Sequence, residues 1–191
     1  MNLFRLAATA AALVFGLTGL QSCLSPPDYP DTPEISFQSI RKLHVPGANG
    51  TGSIDTLYFT IGYRDGDGDL GLLPADLLEK PFYQDPTPGA ARNRNSFNYF
   101  IQPYLKNAAS DTYEPFPGVS EGAYDGQFNF LPLEDNRDKS TPIKGDLTYK
   151  LPVSLGIGFR AGQEVRFTIS IQDRALHESN QVTTSSIVLG P

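Results

Sequence analysis

Hydrophobic and polar positions alternate along most of this chain with the two-residue period of β-strands. In residues 57–63, Leu57, Phe59, Ile61 and Tyr63 fall on one face, and Tyr58, Thr60 and Gly62 on the other. Between residues 163 and 173 the pattern is cleaner still. Val165, Phe167, Ile169 and Ile171 point one way; Arg166, Thr168, Ser170 and Gln172 point the other. These stretches predict strands over 54–64 and 163–173. Weaker versions of the pattern predict strands over 34–43, 97–106, 126–133, 145–151 and 181–189. Pro103 cannot donate to a ladder, so the strand over 97–106 is expected at an edge or with a bulge.

Turn-forming residues separate these runs. Segments 44–53, 80–96, 107–125 and 134–144 read as loops, and one short helical turn is expected near Pro74 within 72–80. About seven strands with long loops predict an all-β fold, an antiparallel β-sandwich of immunoglobulin-like type, over residues 34–191. With one Cys and no Trp, the chain lacks the disulfide and tryptophan core of antibody domains.

Composition supports this reading. Gly and Pro are frequent, the aromatic residues are Phe and Tyr, and 191 residues suit one domain. The net charge of −6 leaves no basic stripe to neutralise phosphates, so nucleic acid is not an expected partner.

The first 22 residues hold one charge, Arg5, followed by an apolar run to Leu20. That run is short for a membrane span and suits a secretory signal. It ends in Leu20-Gln21-Ser22-Cys23, which resembles the lipobox of bacterial lipoprotein precursors. The resemblance implies cleavage after residue 22, acylation of Cys23 and a membrane partner reached through the lipid. Residues 23–33, with Pro26, Pro27, Pro30 and Pro33, read as an extended tether. Leu24 stands where inner-membrane retention uses Asp, which implies the outer membrane without fixing the face.

The strand over 54–64 runs into Asp65-Gly66-Asp67-Gly68-Asp69-Leu70-Gly71. Three carboxylates at alternate positions repel one another unless a cation sits among them. An all-oxygen, flexible, anionic set suits calcium. The loop is similar to EF-hand-like and dockerin-like calcium loops. The likeness implies Asp65, Asp67 and Asp69 at positions 1, 3 and 5, Gly71 at the carbonyl position and Asp76 as the closing carboxylate. It departs from them at Leu70, where they need Gly, and a strand replaces the entering helix, so no EF-hand is inferred. Because loops at one end of a sandwich cluster, Asp173 is a further candidate ligand. The alternative is a solvated turn in which Gly and Asp serve the backbone.

The lipobox, the tether, the DGDGDLGL stretch and the segment Asp173-Arg174-Ala175…Ser179-Asn180 together resemble a group of uncharacterised envelope lipoproteins of Bacteroidota. The resemblance implies a sandwich in the cell envelope and no particular activity.

Catalytic signatures are sparse. His44 and His177 lack metal-ligand spacing, no Gly-x-Ser-x-Gly elbow occurs, and Cys23 is assigned to lipid. The expectation is a non-catalytic, lipid-anchored envelope domain that binds an unidentified envelope protein or glycan. One alternative is a glycan-binding accessory lipoprotein of an outer-membrane uptake system, with Tyr104, Tyr113 and Tyr124 as surface rings. The other is a glycoside hydrolase using an Asp/Glu pair.

Overall fold

The computed structural model describes residues 27–47, 52–116, 120, 122–129, 131 and 140–191. The expected signal segment at 1–22, Cys23, Phe130 and residues 132–139, which take in much of the charged loop expected at 134–144, lie outside the described residues.

Two antiparallel sheets pack face to face, an all-β sandwich. Among the described residues there are eight strands: β1 (Glu34–Val45), β2 (Ile54–Asp65), β3 (Tyr99–Asn107), β4 (Thr112–Pro115), β5 (Ile143–Ser154), β6 (Glu164–Ile171), β7 (Val182–Thr183) and β8 (Ile187–Val188). One sheet has the order β1-β2-β5. The other runs β4-β3-β6-β7, with β8 also on β6. Short 3-10 turns occupy Asp76–Leu78 and Arg94–Ser96, the first where a helical turn is expected.

The inner faces are those the alternation predicts. Leu57, Phe59 and Ile61 of β2 are fully buried, and so are Val165, Phe167, Ile169 and Ile171 of β6. The sheets meet ring to ring, with Phe59 edge-on to Phe167 at 4.9 Å between centroids and Tyr99 stacked on Tyr149 at 4.5 Å. Along β1, Asn180 ties the sheets together: its side chain accepts from Ile35 N at 2.8 Å and donates to Ile35 O at 2.9 Å.

Three expectations need correction. Of the predicted strand at 126–133, the described residues 126–129 and 131 form isolated bridges rather than a ladder, Gly126 with Tyr99 and Asn129 with Leu72, and the rest lies outside the described residues. The predicted strand at 181–189 is broken in two. There Thr184 turns to the neighbouring strand, its hydroxyl accepting from Phe167 N and its own N–H donating to Phe167 O. A four-residue strand, β4, lies within the expected loop at 107–125 and brings the count to eight. Pro103 sits inside β3, opposite Phe167, and its carbonyl faces away from β6 to accept from Phe116 N. A residue's N and O point to the same side of a strand, so the missing donor falls just beyond the β4 ladder, which begins at Tyr104.

Candidate metal centre

The acidic loop closes one end of the sandwich. β2 ends at Asp65, which pairs with Ile143 of β5. The chain then crosses from the first sheet to the second. Leu70 bridges to Asp173, just past β6, and its carbonyl accepts from Leu131 N at 3.0 Å. Gly68 and Gly71 take positive φ (73° and 94°), the left-handed conformation that lets the loop reverse within a few residues.

This path brings three carboxylates together. One oxygen each from Asp65, Asp69 and Asp173 lies within 4.8 Å of the others, a set that could hold a metal ion. Asp65 and Asp173 are buried, at 0% and 1% exposure. Asp67 is outside this trio, yet its Oδ1 is also buried. Among the described residues, the Oδ1 atoms of Asp65, Asp67 and Asp69 have no hydrogen-bond partner. An unpaired buried carboxylate oxygen costs several kcal/mol in an apolar setting, so three within one short loop need a cation or protons.

The remaining oxygens are held in place by the backbone. Asp65 Oδ2 accepts from Asp69 N at 3.1 Å, and Asp69 Oδ2 from Ala175 N at 3.0 Å. Asp173 accepts from His177 N at 2.7 Å, and its second oxygen lies 3.0 Å from His177 Nδ1. Such outer partners fix the direction of carboxylates that converge on one point.

Electrostatics follow from the geometry. Burial first, and then the neighbouring charges of Asp67 and Asp69, push the Asp65 carboxyl up to about 7. Burial, followed by Asp173 and Asp67, pushes Asp69 up to about 6. Asp173 is raised by burial, with the contacts to His177 opposing the shift.

The structure separates Asp76 from this trio. Asp76 accepts from Leu73 N at 2.8 Å and pairs with Arg174 at 3.0 Å, so it braces the loop from outside. Gly71 is a turn residue with positive φ. His177 braces Asp173, a role its sequence position did not reveal.

The expected surface tyrosines do not form a row of open rings. Arg166 covers Tyr113 at 4.1 Å, and the Tyr113 hydroxyl donates to Glu164. Tyr124 leans on Phe159 at 5.8 Å. Tyr104, half-buried on β3, lies opposite Arg166.

Compared with protein-family models, with curated proteins and with solved structures, the chain shows no significant match.

Proposed function

We propose that this chain is a non-catalytic, lipid-anchored module of the cell envelope, in which a calcium ion stiffens the acidic end and the rest of the surface binds a partner. The observation that carries the metal reading is the set of three buried, unpartnered oxygens on Asp65, Asp67 and Asp69, with Asp173 beside them. The donors are all oxygen, with neither a Cys sulfur nor an imidazole among them, which favours a hard cation. Calcium tolerates an irregular carboxylate set, whereas magnesium demands a near-ideal octahedron and keeps its waters.

Two features favour a non-catalytic role. Asp65 and Asp173 are enclosed, so a glycosidic bond could not be placed between them. Their partners also hold them in fixed positions rather than facing a cleft. The lipid anchor rests on the lipobox-like Leu20–Cys23 sequence, and an outer-membrane location on Leu24 after it.

The test is a thermal melt of residues 24–191 with calcium, with magnesium and with chelator. Calcium at about 100 times its dissociation constant should add ~2.7 kcal/mol. For a domain of this size that is roughly 5–10 °C. An unmoved melt would remove the metal from the reading. For the anchor, mass spectrometry of the membrane-extracted chain should find an acylated Cys23, and Cys23→Ser should release the protein from membranes.

A further inference from the structure

The solvent face of the β1-β2-β5 sheet carries a groove of about 950 Å³ whose lining includes Tyr29, Ser36, Gln38, Gly62, Lys144 and Asp146. Its floor is a glycine. Ser36, Gly62 and Asp146 stand in register straight across the three strands. Gly62 has no side chain, and three polar ends lean over the vacancy. A Cβ there would lie 2.8 Å from Gln38 Nε2, 2.9 Å from Ser36 Oγ and 3.5 Å from Asp146 Oδ1.

Gln38 reaches this point because β1 carries a bulge. Phe37 pairs with Ile61 and Ser39 with Thr60, so Gln38 is the extra, unpaired residue. Bulges re-aim side chains in this way and are frequent beside binding sites. Among the described residues, the side chains of Ser36 and Asp146 have no hydrogen-bond partner. Neither does that of Gln38. Their donors and acceptors are therefore available to a ligand.

The lining also selects by charge. Arg64 pairs with Glu34 at one lip, and Lys144 stands near Asp146 on β5. Both signs alternate over a short distance, so no net field attracts a strong anion or cation. Tyr29 walls the end, placed there by the bond from Gly66 N to Pro30 O at 2.8 Å. Free hydroxyl, amide and carboxylate groups beside an aromatic ring suit a ligand dense in hydroxyls with one apolar face. The volume lies within the range of small-ligand sites.

We infer that this groove binds a neutral oligosaccharide, with Asp146 and Gln38 bonding hydroxyls over Gly62 and Tyr29 supplying a stacking face. The inference rests on the reading of the chain as a non-catalytic binding module and is independent of the cation.

The experiment applies the full chain, in detergent, to an array of neutral and acidic oligosaccharides, then titrates the strongest neutral hit by calorimetry. Neutral hits are expected. Asp146→Ala should weaken binding at least tenfold, and Gly62→Val should abolish it. The three atoms nearest an added Cβ are all side-chain ends, those of Gln38, Ser36 and Asp146, and Val suits a strand, so its melt should stay close to the wild type. Asp146 is exposed, so its replacement leaves the fold unaffected and provides a second variant if Gly62→Val is unstable. An array with no neutral hit, hits confined to acidic sugars, or binding indifferent to both variants would overturn the site. Cleavage of the bound sugar in the same incubation would instead overturn the non-catalytic reading and leave the groove standing.

Discussion

Asp65 and Asp173 belong to different sheets, yet each offers a carboxylate oxygen within 4.8 Å of the other, and both are enclosed. Asp65 closes β2, and Asp173 lies just past the end of β6. Only the crossing of the acidic loop, pinned by the Leu70–Asp173 bridge, brings them together. A cation between them would join the two sheets at one end.

Removing one charge should therefore separate stability from metal binding. Without metal, the Asp65 carboxylate is buried among like charges, so Asp65→Asn relieves repulsion at neutral pH. In chelator the variant should melt higher by on the order of 1 kcal/mol, about 2–4 °C. The calcium-dependent rise should vanish in the same protein. A variant that melts lower in chelator and still responds to calcium would contradict both parts.

The same carboxyls set a pH dependence whose sign can be worked out. An unfolded Asp titrates near ~3.9. In the folded chain Asp65 is raised to about 7 and Asp69 to about 6. Their contribution is fully present below the unfolded value and is lost as pH rises through the folded ones. In chelator the melting temperature should fall between about pH 5 and 7.5. Glu164 works the other way: hydrogen bonds from Tyr113, Ser186 and Lys106 lower it to about 2, so its contribution is lost only on acidification below the usual Glu value. The two windows barely overlap. Saturating calcium, which requires ionised ligands, should abolish or invert the slope between pH 5 and 7.5. Melts across that range in chelator and in calcium provide the check.

The sequence showed what depends on local periodicity. The faces of β2 and β6 were readable because every second residue is large and apolar, and all of those side chains but the half-buried Tyr63 are buried. The acidic loop was readable because nothing else in the chain repeats Asp at alternate positions. Less visible was whatever depends on contacts made across the sandwich. At Gly126, a side chain would collide with the Tyr149 ring, so this segment is shaped by β5 rather than by its own pattern. β4 is short and mostly exposed, with no apolar alternation to reveal it. The groove over Gly62 depends on a bulge, and a register shift leaves no mark in a single sequence.

The opposite end of the sandwich is held by a second carboxylate. Asp55, on β2, is fully buried, lies 2.6 Å from His44 Nδ1 and accepts from Gly190 N at 2.6 Å. Lys42 reaches the same tail, donating to Val188 O at 2.8 Å and also to Gly190 O. Asp55→Ala leaves Gly190 N and His44 without their acceptor, a loss of about 3 kcal/mol. The melt should drop by roughly 6–12 °C, with or without calcium. Hydrogen exchange should show lost protection at Gly190 first. A drop smaller than ~0.5 kcal/mol would mean that water replaces the carboxylate at no cost.

Gly66 links the acidic loop to the segment that precedes β1. Its N–H donates to Pro30 O, and a side chain there would collide with backbone atoms of Tyr29 and Pro30. Backbone cannot swing aside as a long side chain can, so Gly66→Ala must push residues 29 and 30 off the loop. The sandwich core is untouched, and the global melt should fall by no more than about 1 kcal/mol. The local effect should be larger. The amide of residue 66 is expected to lose its exchange protection, and Tyr29 to leave the groove. Binding of a neutral oligosaccharide should then weaken several-fold while calcium still raises the melt. Unchanged protection at residue 66 would show that residues 29 and 30 are not displaced, and unchanged sugar affinity alongside lost protection would show that Tyr29 takes no part in the groove.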